Sequence, residues 1–213
     1  NPKRAKKLYD EVVSKAVDEY LNFIDKSKTQ DELQLLLNPA WHVHNGKVPK
    51  EEIIMSFSML LNLVETSNAT SKEILWKFVK KYKTNINEKN FPIFDQLIGY
   101  AIKYFDEVIK KTKKYIKPNS EERKALNQLV KKLENCNNKM TPEEIQTEIY
   151  TVGKENGYKD KLRDWFKLIY QVTFGDENGP RMGFFISFFG LSETIELIKN
   201  LSLIHISEPT RPS

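Results

Sequence analysis

Apolar residues recur every fourth position at the start of the chain: Leu8, Val12, Ala16, Tyr20 and Ile24, with Tyr9, Val13, Val17 and Leu21 beside them. This spacing predicts one long amphipathic helix over residues 2–24. Thr29 followed by Glu32 reads as a capping box for a short helix that ends before Asn38-Pro39, because the residue before proline is pushed out of helical geometry. Residues 40–49, with Gly46 and Pro49, read as a loop. Ile53–Val64 is apolar almost all round and predicts a buried central helix.

Further helices follow, each with its own start signal. Thr70 or Ser71 caps a helix holding Ile74, Leu75, Phe78 and Val79. Pro92 opens the longest pattern, with Ile93, Leu97, Ala101, Phe105 and Ile109 on one stripe and Pro118 as its stop. Ser120 with Glu121 and Glu122 starts the next helix, and Thr141-Pro142-Glu143-Glu144 combines a capping box with proline in the first turn. An eighth stretch (Leu162, Trp165, Phe166, Ile169, Tyr170, Val172), a short aromatic one over 180–189 and a final helix over 192–201 complete the pass. No alternating run flanks the single Asn45-Gly46 pair, so no hairpin is expected. The predicted class is all-α, a multi-helix assembly in two helical groups that meet near Pro118.

Composition narrows the classes. At 213 residues, with 39% hydrophobic and 30% charged side chains, the chain is long enough to bury a core of its own and too polar for a membrane span. The lone cysteine, Cys136, excludes a disulfide scaffold or a Cys-rich zinc site and favours a reducing compartment, with the cytoplasm as the default. Asn1–Lys7 is basic and lacks the apolar run of a signal peptide, and the chain does not open on methionine, so more polypeptide is expected before it. Residues 201–213 (LSLIHISEPTRPS) abandon helical periodicity and read as a translated adapter sequence, so residues 202–213 are set aside as an artefactual tail.

Catalytic signatures are absent. The chain has no GxxxxGK phosphate cradle, no GxGxxG, no GxSxG and no HExxH. His42 and His44 share one side of an extended segment, but no cysteine lies near them and His205 falls in the tail, so no metal is assigned. Cys136 has no histidine close in sequence and reads as a bystander thiol.

Charge is more informative. Lys77, Lys80, Lys81 and Lys83 lie within seven residues without an acid among them, and Lys110, Lys111, Lys113, Lys114 and Lys117 form a second such block. Each block reads as a helix C-terminus with a concentrated positive end. Such an end serves equally as a solvated complement to the helix dipole or, with Tyr82, Tyr104 and Tyr115 interleaved, as a surface that tracks phosphates and stacks bases.

Several segments resemble consecutive blocks of the class I lysyl-tRNA synthetases. They are SFSMLLNLV (56–64) with Ser67-Asn68-Ala69, ILWKF (74–78), YAIKYF (100–105), EIQ (144–146), IYTVGK (149–154), DWFK (164–167) and GPRMGFFI (179–186) with Gly190. Upstream, PKRAKKLY (2–9) and KAVDEYL (15–21) resemble the helix that follows the family's signature loop, and NPAWHVH (38–44) its next loop. The resemblance runs in order from about residue 2 to 198. It departs at Met182, where the family commonly has an aromatic, and at Phe184 and Phe188, which replace smaller or aliphatic residues.

The resemblance implies that the parent enzyme activates lysine with ATP and esterifies the terminal adenosine of its tRNA. Neither class I signature motif occurs here, so the nucleotide-binding domain is expected before Asn1 and this chain alone is expected to be inactive. On this reading residues 1–38 end a stem-contact region, 39–46 form a loop, and 47–201 form a helical cage for the anticodon arm, with sub-bundles at about 47–117 and 118–201. The expected partners are the lysine tRNA and the missing catalytic domain, with no DNA, no membrane and no cofactor. Candidate RNA contacts are Trp41, His42, His44 and Asn45 on one loop, Arg181 on another, and Lys77, Lys80, Lys81, Lys110, Lys111, Lys113 and Lys114 in the basic blocks, because unpaired bases use aromatic, imidazole and guanidinium partners. A helical protein-interaction domain is the alternative, marked by an exposed apolar groove.

Overall fold

The helix starts show how sequence becomes structure in this protein. A computed structural model describes residues 2–137 and 139–203, with side chains described over 12–137 and 139–201. Among the described residues it holds eleven α-helices and no strand. Helix α1 spans Pro2–Ser27 and α2 spans Glu32–Leu36. The cap of α2 is Asp31, not Thr29: α1 runs past Ile24, so the Thr29 hydroxyl bonds back to the Lys26 carbonyl at 3.3 Å. Asp31 then accepts from the Gln34 amide at 2.8 Å, while the Gln34 side chain accepts from the Asp31 amide at 3.1 Å.

The expected loop over 40–49 opens with a helical turn, α3 (Pro39–Val43). Asn38 caps it through the Ala40 amide at 2.9 Å, and Pro39 occupies the first turn, where its missing N–H costs nothing. Helix α4 (Phe57–Ser67) is nearly all buried. Its first amides, those of Phe57 and Ser58, donate to Asp18 of α1, and Ser56 caps the Met59 amide at 3.1 Å. Helix α5 spans Lys72–Tyr82 with Ser71 at the cap position, though the serine side chain makes no capping bond. Helix α6 (Pro92–Glu107) is capped from afar: Glu51 accepts from the Ile93 and Phe94 amides at 2.9 and 2.8 Å.

Beyond α6 the structure departs from the pattern. The helix stops at Glu107, a single 3-10 turn covers Ile109–Lys111, and an extended strap leads to Pro118. The strap is held by tertiary bonds that displace helical ones: the Lys114 amide donates to Gly175 at 2.9 Å and the Ile116 amide to Gln171 at 3.4 Å. Helix α7 (Ser120–Glu134) is capped by Asn119 rather than Ser120, because Glu122 reaches the Asn119 amide at 2.8 Å. Helix α8 (Pro142–Gly153) has the expected Thr141–Glu144 capping box. A π-type turn over Lys154–Tyr158, with Gly157 at φ +89°, redirects the chain into α9 (Leu162–Thr173).

Helices α10 (Met182–Phe189) and α11 (Leu191–Leu203) complete the fold, so helical backbone continues through Leu203. The rest of the tail, 204–213, including His205, lies outside the described residues. One apolar core runs from Ile54 to Ile198. The aromatic α10 is packed against α4, α5, α8 and α11. Gly183 allows that position: a Cβ there would lie 2.0 Å from the Pro142 carbonyl oxygen, so α10 meets α8 backbone to backbone. The Gln146 side chain of α8 accepts from the Gly183 amide at 2.8 Å. Helix α1 packs on α3 and α4 at the edge of this body.

Candidate nucleic-acid interface

The four candidates at residues 41–45 lie together on α3 and the turn after it, each with an internal partner or constraint. Trp41 is half-buried and its indole supports the turn: a Cβ on Gly46 would stand 3.1 Å from the Trp41 ring. Asn45 (φ +49°) and Gly46 (φ +79°) adopt left-handed backbone there. His44 Nε2 lies 2.6 Å from the Tyr20 hydroxyl, with the two rings stacked at 6.1 Å, while His42 Nε2 lies 2.7 Å from the Leu36 carbonyl. The histidines thus face different partners instead of sharing one extended edge. Among the described residues, no group of three His, Cys, Asp or Glu side chains is placed to hold a metal ion. His42 and Asn45 are exposed, and His44 is half-buried.

The first basic block ends α5, but three of its lysines are opposed in space by acids outside the block, one eight positions away and two far off in the chain. Lys80 pairs with Glu88 at 3.4 Å, Lys81 with Glu193 at 2.8 Å, and Lys83 with Glu52. These pairs lie at the surface, so each is weak and yields readily to a phosphate. Lys80 and Lys81 also lie 5.4 Å from the Trp76 and Phe78 rings, respectively. Lys77 is exposed and, among the described residues, makes no ion pair.

The second block is not a helix end, and its members divide. Lys110 is exposed, 3.4 Å from Asp106. Lys111, Lys114 and Lys117 are exposed and, among the described residues, make no ion pair. Lys113 points inward. Its ammonium lies 2.7 Å from Glu65 of α4 and 2.8 Å from the Phe174 carbonyl, with the Lys113 and Glu65 side chains only 11% and 6% exposed. The Tyr115 hydroxyl donates to the other Glu65 oxygen. Burial pushes the Glu65 carboxyl above its ordinary pKa, although the Lys113 charge and the hydrogen bonds from Lys113 and Tyr115 pull it down. Burial and the Glu65 partner hold the Tyr115 hydroxyl well above its usual value, so it stays a donor. This network clamps the strap to the core, and no sequence pattern announced it: Glu65 stands in an apolar helix 48 positions before its cation.

Arg181 is exposed at the start of α10 and lines a cleft of about 280 Å³ with Ser56, Met59, Pro142, Glu143, Pro180 and Phe184. The first turns of α4, α8 and α10 border it, but Asp18 already holds the α4 amides and the Thr141–Glu144 box closes the start of α8, so the Arg181 guanidinium is the one cationic side chain among the lining residues. Beside it Tyr82, 42% exposed, lies over Phe188 with ring centroids 3.9 Å apart and meets Phe184 edge-on at 6.0 Å. Phe184 and Phe188, the departures noted in the sequence, thus form a platform under an exposed tyrosine. Cys136 is half-buried, and burial raises its pKa away from the thiolate.

No family model matches the chain, and no solved structure matches it. Among curated proteins, the lysine–tRNA ligase of Rickettsia bellii is 38% identical over 201 residues, 93% of this chain and 38% of the relative. That of Rickettsia felis is 37% identical over the same length. That of Roseobacter denitrificans is 40% identical over 197 residues, 92% of this chain and 37% of the relative. Over nearly its whole length the chain is therefore a sequence relative of lysine–tRNA ligases, spanning less than two-fifths of the length of the relatives it matches.

Proposed function

We propose that this chain is the tRNA-binding helical portion of a class I lysyl-tRNA synthetase, with α4–α11 receiving the anticodon arm. The carrying observation is 37–40% identity over 92–93% of the chain to lysine–tRNA ligases. The surface supports it: exposed Lys77, Lys111, Lys114 and Lys117 supply phosphate contacts. The Arg181 cleft and the half-exposed Tyr82 supply edge and stacking partners for unpaired bases. Lys113 has no part in this, because its charge is used inside the fold. His44, bonded to Tyr20, reaches RNA only through its exposed edge; His42 is exposed but holds the Leu36 carbonyl through Nε2, and Asn45 is exposed.

Activation of lysine with ATP belongs, on this reading, to a nucleotide-binding domain of the whole enzyme that this chain does not include. One observation favours protein contact for a different part of the surface. Helix α2 buries none of its residues, and Leu33, Leu36, Leu37 and Val43 are 76%, 54%, 85% and 67% exposed. Those exposed apolar side chains are unsuited to phosphate. Two assays on the purified chain test the proposal together. It should bind tRNA with an affinity that falls steeply with salt, and it should give no lysine-dependent exchange of pyrophosphate into ATP. Exchange activity, or RNA affinity indifferent to salt, would refute it.

A further inference from the structure

A second cleft, of about 390 Å³, is bordered by the loop that leads to Arg181, within the range of small-ligand sites. Arg163, Phe166, Lys167 and Tyr170 fall at helical spacing along one seam of α9 and form one wall, and Glu177 and Asn178 of the following loop form the other. The loop is fixed in place. The Tyr170 hydroxyl donates to the Pro180 carbonyl at 2.8 Å, and Gly179 lies flat on the Tyr170 ring, where a Cβ would come within 2.5 Å. Phe166 continues an aromatic wall: Tyr150, 39% exposed, meets it edge-on at 4.9 Å, and Tyr170 lies 6.1 Å away. Asp164 stands on the lining as well. Across the opening Lys167 pairs with Glu177 at 3.1 Å, with both side chains about half exposed.

We propose that this cleft takes one unstacked nucleotide of a single-stranded RNA segment, its base against Phe166 and its flanking phosphate drawing Lys167 away from Glu177. The proposal rests on the reading of the chain as RNA-binding. Each part has a chemical reason. Aromatic faces beside cations are what single-stranded nucleic acid uses. The Asn178 amide offers one donor and one acceptor side to a base edge. Arg163 and Lys167 flank the aromatic wall as phosphate partners. An exposed ion pair is weak enough to exchange its carboxylate for a phosphate, so Glu177 competes with the ligand instead of assisting it.

That competition gives a test of definite sign, made by fluorescence anisotropy with the whole chain and a labelled tRNA transcript over a salt series. Glu177→Gln should tighten binding, since Lys167 no longer has to give up a carboxylate partner to reach the phosphate. Phe166→Leu should weaken binding roughly tenfold through lost stacking. Asn178→Ala, on an exposed loop, should weaken it without lowering the melting temperature, which keeps the test open should Phe166→Leu unfold. If the wild-type chain binds and Glu177→Gln and Asn178→Ala bind equally well, or Glu177→Gln binds more weakly, the cleft proposal is overturned while RNA binding stands. If the wild-type chain does not bind, the RNA reading itself falls.

Discussion

Replacing Lys113 with methionine separates a structural lysine from its neighbours. The ammonium sits 2.7 Å from Glu65 and 2.8 Å from the Phe174 carbonyl, in a site where both side chains are nearly excluded from water. Removing one partner of a buried pair strands the other charge, at a cost of about 3–5 kcal/mol. Two features reduce that here: Tyr115 still donates to Glu65, and the carboxyl, already raised by burial, can take up a proton. A loss of about 2–4 kcal/mol is expected, a fall in melting temperature of about 4–16 °C for a chain of this size. Lys111→Met, two positions earlier and exposed, should stay within about 0.5 kcal/mol of wild type.

The pH dependence sharpens the test. Without Lys113, the folded-state pKa of Glu65 moves further above its unfolded value. A group raised in this way contributes stability below its unfolded pKa and loses it as pH rises through the folded one. The gap between Lys113→Met and wild type should therefore widen as pH rises above the ordinary carboxylate range, read by circular dichroism in urea. Equal stability of Lys113→Met and Lys111→Met, or a gap that does not change with pH, would refute the buried clamp.

Three further outcomes follow from the same geometry. Changing Lys111, Lys114 and Lys117 together to Gln should leave the melting temperature in place while flattening the salt dependence of tRNA binding by nearly one for each lost phosphate contact. Asp95 accepts from Lys72 at 2.6 Å and Trp76 at 3.0 Å; burial raises its pKa, but these partners outweigh that and hold it below its ordinary value. Its contribution, about 1 kcal/mol, should be present at neutral pH and disappear as pH falls through the folded pKa, so urea midpoints of Asp95→Asn and wild type should converge in acid. Gly183→Ala should cost about 3 kcal/mol or more by urea unfolding, because the new methyl meets the Pro142 carbonyl and not a movable side chain.

Local signals were legible in the sequence and tertiary ones were not. Pro142 and the Thr141–Glu144 box mark a helix start that depends only on neighbouring residues, and that start, like the one at Pro92, is where the pattern puts it. Asn38-Pro39 carried the signal for α3 as well, but the glycine and proline that follow outweighed it. The helix expected to reach Pro118 ends at Glu107 because the strap after it bonds to Glu65, Gln171 and Gly175, residues far off in the chain. The same holds for Asp18 and Glu51, which cap helices 39 and 42 positions away. Lysine blocks were visible as charge, whereas Glu52, Glu88 and Glu193, which oppose them, are brought close only by the fold.

Competition between two tRNA transcripts tests the central claim most directly. The whole chain, held at fixed salt, is titrated with a labelled lysine tRNA and then challenged with unlabelled lysine tRNA or the same molecule with its anticodon bases replaced. If the helical body receives the anticodon arm, the altered transcript should compete more weakly, by about 1–3 kcal/mol for each lost base contact. Equal competition by both transcripts would mean that the chain holds the tRNA backbone alone and would contradict the assignment of an anticodon site to this fold.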